Sequence, residues 1–272
     1  MGGLRRSILS LPPLHDAVRL PYGPDLYQWG DLRLPPGAGP YPLVVVVHGG
    51  FWRAAYDLEH IGYLCAALTA DGFATWSVEY RRIGHEGGGW PGSFLDVGAA
   101  LDYVRVLSQR YRLDAGRVTV LGHSAGGHLA LWLAGRRRVS PGSPLHAAQP
   151  LTPRAVVALA PVTDLRQAWA LRLGRGVVQD LMGATPAASP DRYAASSPAD
   201  LLPLGARQTL IHGRWDRIVP PKVSETYVRQ ARALGDDAVL RLLPWAGHFT
   251  LIDPRSRAFG TVLNAVRTIH DR

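Results

Sequence analysis

The sequence predicts an α/β protein with a mostly parallel, eight-stranded sheet covered by helices on both faces. Three observations predict it. The run Leu43-Val44-Val45-Val46-Val47 is β-branched and lacks polar alternation, as in a strand buried on both faces. Strand-like and helix-like segments then alternate along the chain, which implies parallel strands joined by crossover helices. Finally, 272 residues with 47% hydrophobic and 19% charged content can fill one large core.

In order, residues 17–34 read as an opening pair of strands with turn residues at Tyr22-Gly23-Pro24. A Pro/Gly-rich turn, 35–40, leads into the valine strand. A helix over 57–70 and a strand over 73–79 follow, then a helix over 93–110, a strand over 117–121 and a helix over 124–135. The last pairs are strands over 155–160, 208–212 and 238–243, with helices over 222–234 and 255–270. Residues 163–205 break this rhythm. They hold helical pieces at 165–173 and 177–181 among Pro/Ser/Ala turns, too long a stretch for a simple crossover. A cap or lid inserted into a single domain spanning 1–272 is the expectation.

The formal charge is +9, yet the basic residues are scattered, and Lys222 is the only lysine. The one cluster, Arg136-Arg137-Arg138, falls where a helix ends, a position that favours cations. Richness in Arg, Ala, Gly and Pro fits a coding bias better than a nucleic-acid surface, so no nucleic-acid partner is expected. Near the start, Arg5 and Arg6 precede Ile8-Leu9-Ser10-Leu11, an apolar stretch too short for a signal peptide core. No run approaches the roughly 20 apolar residues of a membrane span. Cys65, the single cysteine, sits in an apolar run and reads as a buried small side chain. A cytoplasmic protein without a membrane partner is expected; oligomeric state is open, with a homodimer among the alternatives.

The chemistry is carried by Gly122-His123-Ser124-Ala125-Gly126, placed between the strand Val118-Thr119-Val120-Leu121 and an apolar helix. G-x-S-x-G in strand–turn–helix context is a nucleophile elbow: a sharp turn lifts the serine hydroxyl clear of the sheet above a helix N-terminus. A serine hydroxyl needs a base, and the base needs an orienting acid. Asp216 lies just past the strand at 208–212, and His248 just past the strand at 238–243. Both therefore fall at the end of the sheet where open α/β folds bind ligands. Ser124, Asp216 and His248 are the candidate nucleophile, acid and base.

Directly after the valine strand comes His48-Gly49-Gly50-Phe51-Trp52. Its glycines permit a backbone turned inward, so the N–H groups of Gly50 and Phe51, with that of Ala125, are candidate oxyanion donors. His48 is read as holding that loop through side-chain hydrogen bonds. His123, His128 and His212 are assigned no role, because none has zinc-site spacing to a second ligand. No metal or cofactor is required.

These motifs, with Glu79-Tyr80-Arg81-Arg82 and Gly247-His248, resemble α/β-hydrolases of the kynurenine-formamidase and esterase/lipase type over roughly residues 40–270. The resemblance implies the α/β-hydrolase fold and hydrolysis of a small-molecule ester or amide through an acyl-enzyme. The H-G-G-F-W segment points toward the arylformamidase-like branch, where the leaving group is an aromatic amine. Among the aromatics near the motifs (Phe51, Trp52, Trp90, Trp169, Trp215, Trp245), Trp52, Trp90 and Trp215 are the candidate pocket residues. The competing readings are a carboxylesterase, an arylformamidase, a serine peptidase of prolyl-oligopeptidase type, and a non-catalytic hydrolase-fold binding protein. The peptidase ranks lower for want of a second domain such as a propeller. The binding protein ranks lower because all three triad residue types are present.

Overall fold

A computed structural model describes residues 7–270; Arg5 and Arg6, read above as part of the leader question, lie outside them. The strands are β1 (Val18–Pro21), β2 (Trp29–Arg33), β3 (Tyr41–Val47), β4 (Ala74–Val78), β5 (Leu113–His123), β6 (Ala155–Leu159), β7 (Arg207–Gly213) and β8 (Ala238–Leu243). They form one sheet in the order β1-β2-β4-β3-β5-β6-β7-β8. The pairs β1–β2 and β2–β4 are antiparallel, and every other neighbouring pair is parallel.

The valine run shows why the sheet is covered twice. Leu43, Val45 and Val47 join one core cluster, while Val44 and Val46 join the other. Successive side chains point to opposite faces, so an unbroken apolar strand demands a helical layer on each. On one face lie α1 (Gly62–Ala70) and α9 (Arg257–His270). Ala258, Val262, Val266 and Ile269 recur at helical spacing on α9 and are all buried. On the other lie α2 (Gly92–Asp102), α3 (Val104–Tyr111), α4 (Ala125–Gly135) and α8 (Lys222–Ala233). The helix after β4 is thus two helices that meet at Tyr103, rather than one over 93–110.

Residues 163–205 fold into α5 (Leu165–Ala170), α6 (Val177–Met182) and α7 (Pro190–Ser196) with 3₁₀ turns between and after them. The third helix is absent from the sequence prediction, where its Pro and Ser residues read as turns. Pro190 at its first position fits a helix start. Its stability comes from tertiary contacts: Tyr193 is fully buried, and Trp132 Nε1 of α4 donates to Ala195 O at 2.9 Å. Cys65 is buried on α1. Arg136 does more than cap α4, since it is buried and bridges to Asp102 at 2.8 Å. Among the described residues no helix is long and apolar enough to cross a membrane.

Candidate active site

Ser124 stands between β5 and α4 with φ 57° and ψ −119°, a conformation that L-residues avoid at a cost of about 1–3 kcal/mol. Crowding dictates its glycine neighbours. A Cβ on Gly122 would lie 2.1 Å from Gly126 O, and one on Gly126 would lie 2.1 Å from Val47 O. Both glycines let β5, α4 and the end of β3 meet at one point. The turn is pinned by Ser124 N–H donating to Leu159 O at 2.8 Å and His128 N–H donating to Ser124 O at 3.0 Å. Ala125 opens α4, so its N–H has no acceptor within the helix and stands next in the chain to the serine.

The candidate base and acid arrive on the loops after β8 and β7. His248 Nδ1–H donates to Asp216 Oδ2 at 2.6 Å, leaving Nε2 with its lone pair. Asp216 Oδ1 accepts from the N–H groups of Ile218 and Val219 at 2.8 and 2.9 Å. Burial would push this carboxyl up. The hydrogen bonds from His212 and His248, the charge of His248 and the Val219 N–H overcome burial and hold it well below the usual carboxylate range. The two loops are also tied backbone to backbone: Trp215 N–H donates to Ala246 O at 3.0 Å and Arg214 N–H to Leu243 O at 2.8 Å. No hydrogen bond joins Ser124 Oγ to His248 among the described residues. The two side chains instead share one small cavity.

The loop after β3 turns tightly, with φ 115° at Gly50, 55° at Phe51 and 56° at Trp52. A Cβ on Gly49 would sit 2.8 Å from His123 O and 3.1 Å from Ser124 Cβ, so this backbone runs directly against the nucleophile elbow. The N–H groups of Gly50 and Phe51 donate to no group among the described residues. The loop is held from below by a buried polar cluster. His48 Nε2 lies 3.0 Å from Glu79 Oε1, and its Nδ1 lies 2.8 Å from Gly49 O. Glu79 also bridges Arg82 at 3.1 Å and accepts from the N–H groups of Tyr80 and Leu58 at 2.9 and 3.3 Å. Burial disfavours charge on Glu79, but His48 and Arg82 keep its carboxyl below its ordinary value. Tyr80 completes the support by donating its hydroxyl to His48 O at 3.1 Å.

The cavity holding Ser124 and His248 has a volume of about 40 Å³. Leu9, Phe51, Tyr56, Ile218 and Phe249 make most of its wall, with His60 and His123 adding polar edges. Residues 31–230 match the sequence profile of the BD-FAE family. The chain belongs to the BD-FAE family. Among curated proteins, esterase LipC of Mycobacterium tuberculosis is 30% identical over 91% of this chain and 64% of its own length. Esterase LipQ of the same organism is 28% identical over 85% of this chain and 58% of its own. The chain thus spans about three fifths of the length of these two relatives. Among solved structures, a truncated carbohydrate esterase from gut microbiota superposes with a TM-score of 0.80 at 22% identity, covering 96% of this chain and 99% of that one. The butyrate-bound esterase Est2 of Thermogutta terrifontis gives 0.74 at 19% identity over 93% of both chains. The fold is the α/β-hydrolase fold.

In this BD-FAE chain the structure brings together Ser124, Asp216, His248, Gly50, Phe51 and Ala125. It does not bring the three candidate pocket tryptophans to the serine. Trp52 is a core residue, buried with its ring edge-on to that of His128. Trp90 borders a separate groove beside Arg138 and Arg192, under the Arg192 guanidinium at 4.2 Å. Trp215 is 68% exposed and lies on the outer side of the acid loop.

Two histidines assigned no role by the sequence reading prove to hold the site. His212 Nε2 lies 2.9 Å from Val219 O and 3.3 Å from Asp216 Oδ2, and its Nδ1 lies 2.8 Å from Ser224 Oγ. It therefore braces the acid loop from the end of β7. His123 Nε2 donates to His248 O at 3.1 Å, with the two rings 4.6 Å apart. Burial, then the charge of His248, hold His123 well below its ordinary value and so neutral. The available signal was position: each is one or four residues from a proposed catalytic residue.

Proposed function

We propose that this chain is a serine ester hydrolase acting on small molecules with a short acyl group. The observation that carries the reading is Ser124 held at a strained turn in the same cavity as the hydrogen-bonded His248–Asp216 pair. His248 Nε2 takes the Ser124 proton as Oγ attacks the ester carbonyl. The N–H groups of Gly50, Phe51 and Ala125 receive the developing oxyanion. The imidazolium, oriented by Asp216, then gives its proton to the departing alcohol. Water activated by the same nitrogen releases the acid and frees the serine. The curated relatives named as esterases support this reaction class.

The cavity size supports a short acyl group. The cavity is small, about 40 Å³ where the groove at Trp90 measures about 610 Å³ on the same scale. So confined a space favours a short acyl group such as acetyl over a long alkyl chain. Residues 163–205 act in this reading as a cap on a single domain. Supporting this, a Cβ on Gly174 would lie 2.6 Å from the Phe51 ring, so the segment rests on the oxyanion loop. A cytoplasmic location is part of the proposal, consistent with one buried, unpaired cysteine.

The test is kcat/KM for p-nitrophenyl acetate, butyrate and octanoate and for N-formylkynurenine, with Ser124→Ala as blank. Acetate far above octanoate, lost in the variant, is the expected result. A dominant formamide activity would move the enzyme to the arylformamidase branch, whose formyl group also fits the cavity. Octanoate as the best ester would refute the short-acyl reading.

A further inference from the structure

A groove runs between α9 and the outer strands β7 and β8, and nothing in the mechanism above uses it. Its volume is about 420 Å³, in the size range of small-molecule sites. Arg207 and Thr209 of β7 and Arg241 of β8 line one side, and Arg257, Asn264 and Thr268 of α9 line the other. Periodicity dictates both walls. Leu210 and Ala238 join the core on the far face of the sheet, so Arg207, Thr209 and Arg241, an odd number of steps away, project toward α9. On α9 the buried stripe is Ala258, Val262, Val266 and Ile269, which leaves Arg257, Asn264 and Thr268 beside it, along the groove.

Two observations point to a ligand. The first is charge. No acidic side chain lines the groove. Arg207 bridges Asp237 at 3.5 Å, while Arg241 and Arg257 have no hydrogen bond or ion pair among the described residues. Three guanidinium groups from three elements thus border one concavity, where every polar neighbour can also donate a hydrogen bond. Cations gathered in this way repel one another, and an anion between them relieves that repulsion. The second is Gly260, which lies on the groove within α9. Glycine inside a helix is unfavourable relative to alanine. At Gly92, Gly98, Gly126, Gly127 and Gly135 a Cβ would come within 3.1 Å of another atom, so packing excludes a side chain there. At Gly260 it would meet nothing within 4 Å. Packing does not account for this glycine, whereas an open groove does.

We propose that this groove binds a soluble, phosphate-bearing small molecule whose charge is spread over more than one phosphate. Planar guanidinium forks match phosphate oxygens two at a time. Gln208 pairs with Ala238, which sets Arg207 and Arg241 about 13 Å apart along the strands. Their side chains reach in from opposite ends, so an elongated anion meets all three arginines where a single phosphate meets one end. A membrane surface fits less well, because the donors line a concavity. The proposal is independent of the ester-hydrolase reading.

The experiment titrates inorganic phosphate, pyrophosphate, ATP and citrate into the full chain by calorimetry at physiological ionic strength. Pyrophosphate and ATP are expected to bind one to one, and more tightly than inorganic phosphate or citrate. The double variant Arg241→Gln/Arg257→Gln should weaken that binding roughly tenfold or more. Gly260→Glu should weaken it similarly, since its carboxylate enters open space among the arginines. Arg137→Gln/Arg138→Gln removes the same formal charge at exposed positions elsewhere and should leave the affinity unchanged. Unaltered p-nitrophenyl acetate turnover and melting temperature would show each variant folded. Absence of pyrophosphate and ATP binding overturns the proposal, as does affinity retained in either groove variant. An equal loss in the Arg137/Arg138 variant also overturns it, because net charge would then explain the binding. Citrate as tight as pyrophosphate, or binding only to phosphatidylglycerol vesicles or to an oligonucleotide, would refute a soluble phosphate ligand.

Discussion

At Ser124 the local conformation and the chemistry make opposite demands on the same residue. Its φ of 57° is unfavourable, and it is kept because the surrounding strand, helix and loop leave no other path. Ser124→Ala retains the β-carbon that packs there and removes only the hydroxyl. It should fold normally and lose roughly 10³–10⁶ in kcat, checked by ester turnover beside a thermal melt. Asp216→Asn should cost less, roughly 10²–10⁴, because the amide still fills the space between His212 and His248 but no longer opposes the imidazolium charge. A variant with full turnover at either position would remove that residue from the mechanism. The neighbourhood of Ser124, Asp216 and His248 is legible in the sequence because each residue follows a strand, and parallel strands bring such ends together. The tryptophans are not legible in the same way. Trp52 differs from Phe51 by one step along a loop whose left-handed backbone sends one ring to the cavity and the other to the core. Nothing in the residue types, both large aromatics, tells which ring takes which place.

The elements succeed as rigid supports where their contacts are backbone to backbone. Gly122 and Gly126 are fixed by this: an added methyl at either would overlap main-chain oxygens that cannot move without parting β5, α4 and β3. Gly126→Ala should therefore cost at least about 1–3 kcal/mol, read as a fall in the urea midpoint, and a neutral result would mean that the elbow yields more than its geometry implies. The oxyanion loop depends instead on a side chain. Glu79 binds His48, Arg82 and two backbone N–H groups in a site that excludes water. Removing its charge leaves Arg82 and His48 unopposed. Glu79→Ala should destabilise by about 3–5 kcal/mol, and where folded should lose kcat more than KM as the Gly50 and Phe51 donors lose their support. Equal retention of kcat and stability would contradict that role. Strand existence and order of elements are readable from apolar runs and alternation. The break at Tyr103 and the helix Pro190–Ser196 are not, since they arise from packing against α4 and the sheet rather than from local propensity.

Across the whole molecule, two apolar layers enclose one sheet, and polar groups trapped within those layers set its response to acid. His128 lies fully buried on α4, donating from Nε2 to Ser196 O at 3.0 Å, while its Nδ1 has no partner. Burial pushes it from its ordinary 6.5 down to about 4. His60, at the edge of the Ser124 cavity, is likewise lowered to about 4 by burial and then by the charge of His48. Above pH 6.5 neither state of the chain protonates these rings. As the pH falls from 6.5 to about 4 the unfolded chain takes up their protons and the folded one does not. Each ring should thus withdraw up to roughly 3 kcal/mol of stability across that interval, and no more below it. Asp216 acts in a separate range. Its carboxyl is held low in the fold, so the stability it contributes is present above its ordinary 3.8 and declines only below that. The separation makes the histidine effect measurable. Urea unfolding of wild type between pH 7 and 4.5 should show falling stability, and His128→Gln should flatten the slope by about one proton while keeping a donor near Ser196 O. A slope identical to wild type would mean that His128 opens to water before it titrates, and that α4 is less tightly closed over the sheet than its burial implies.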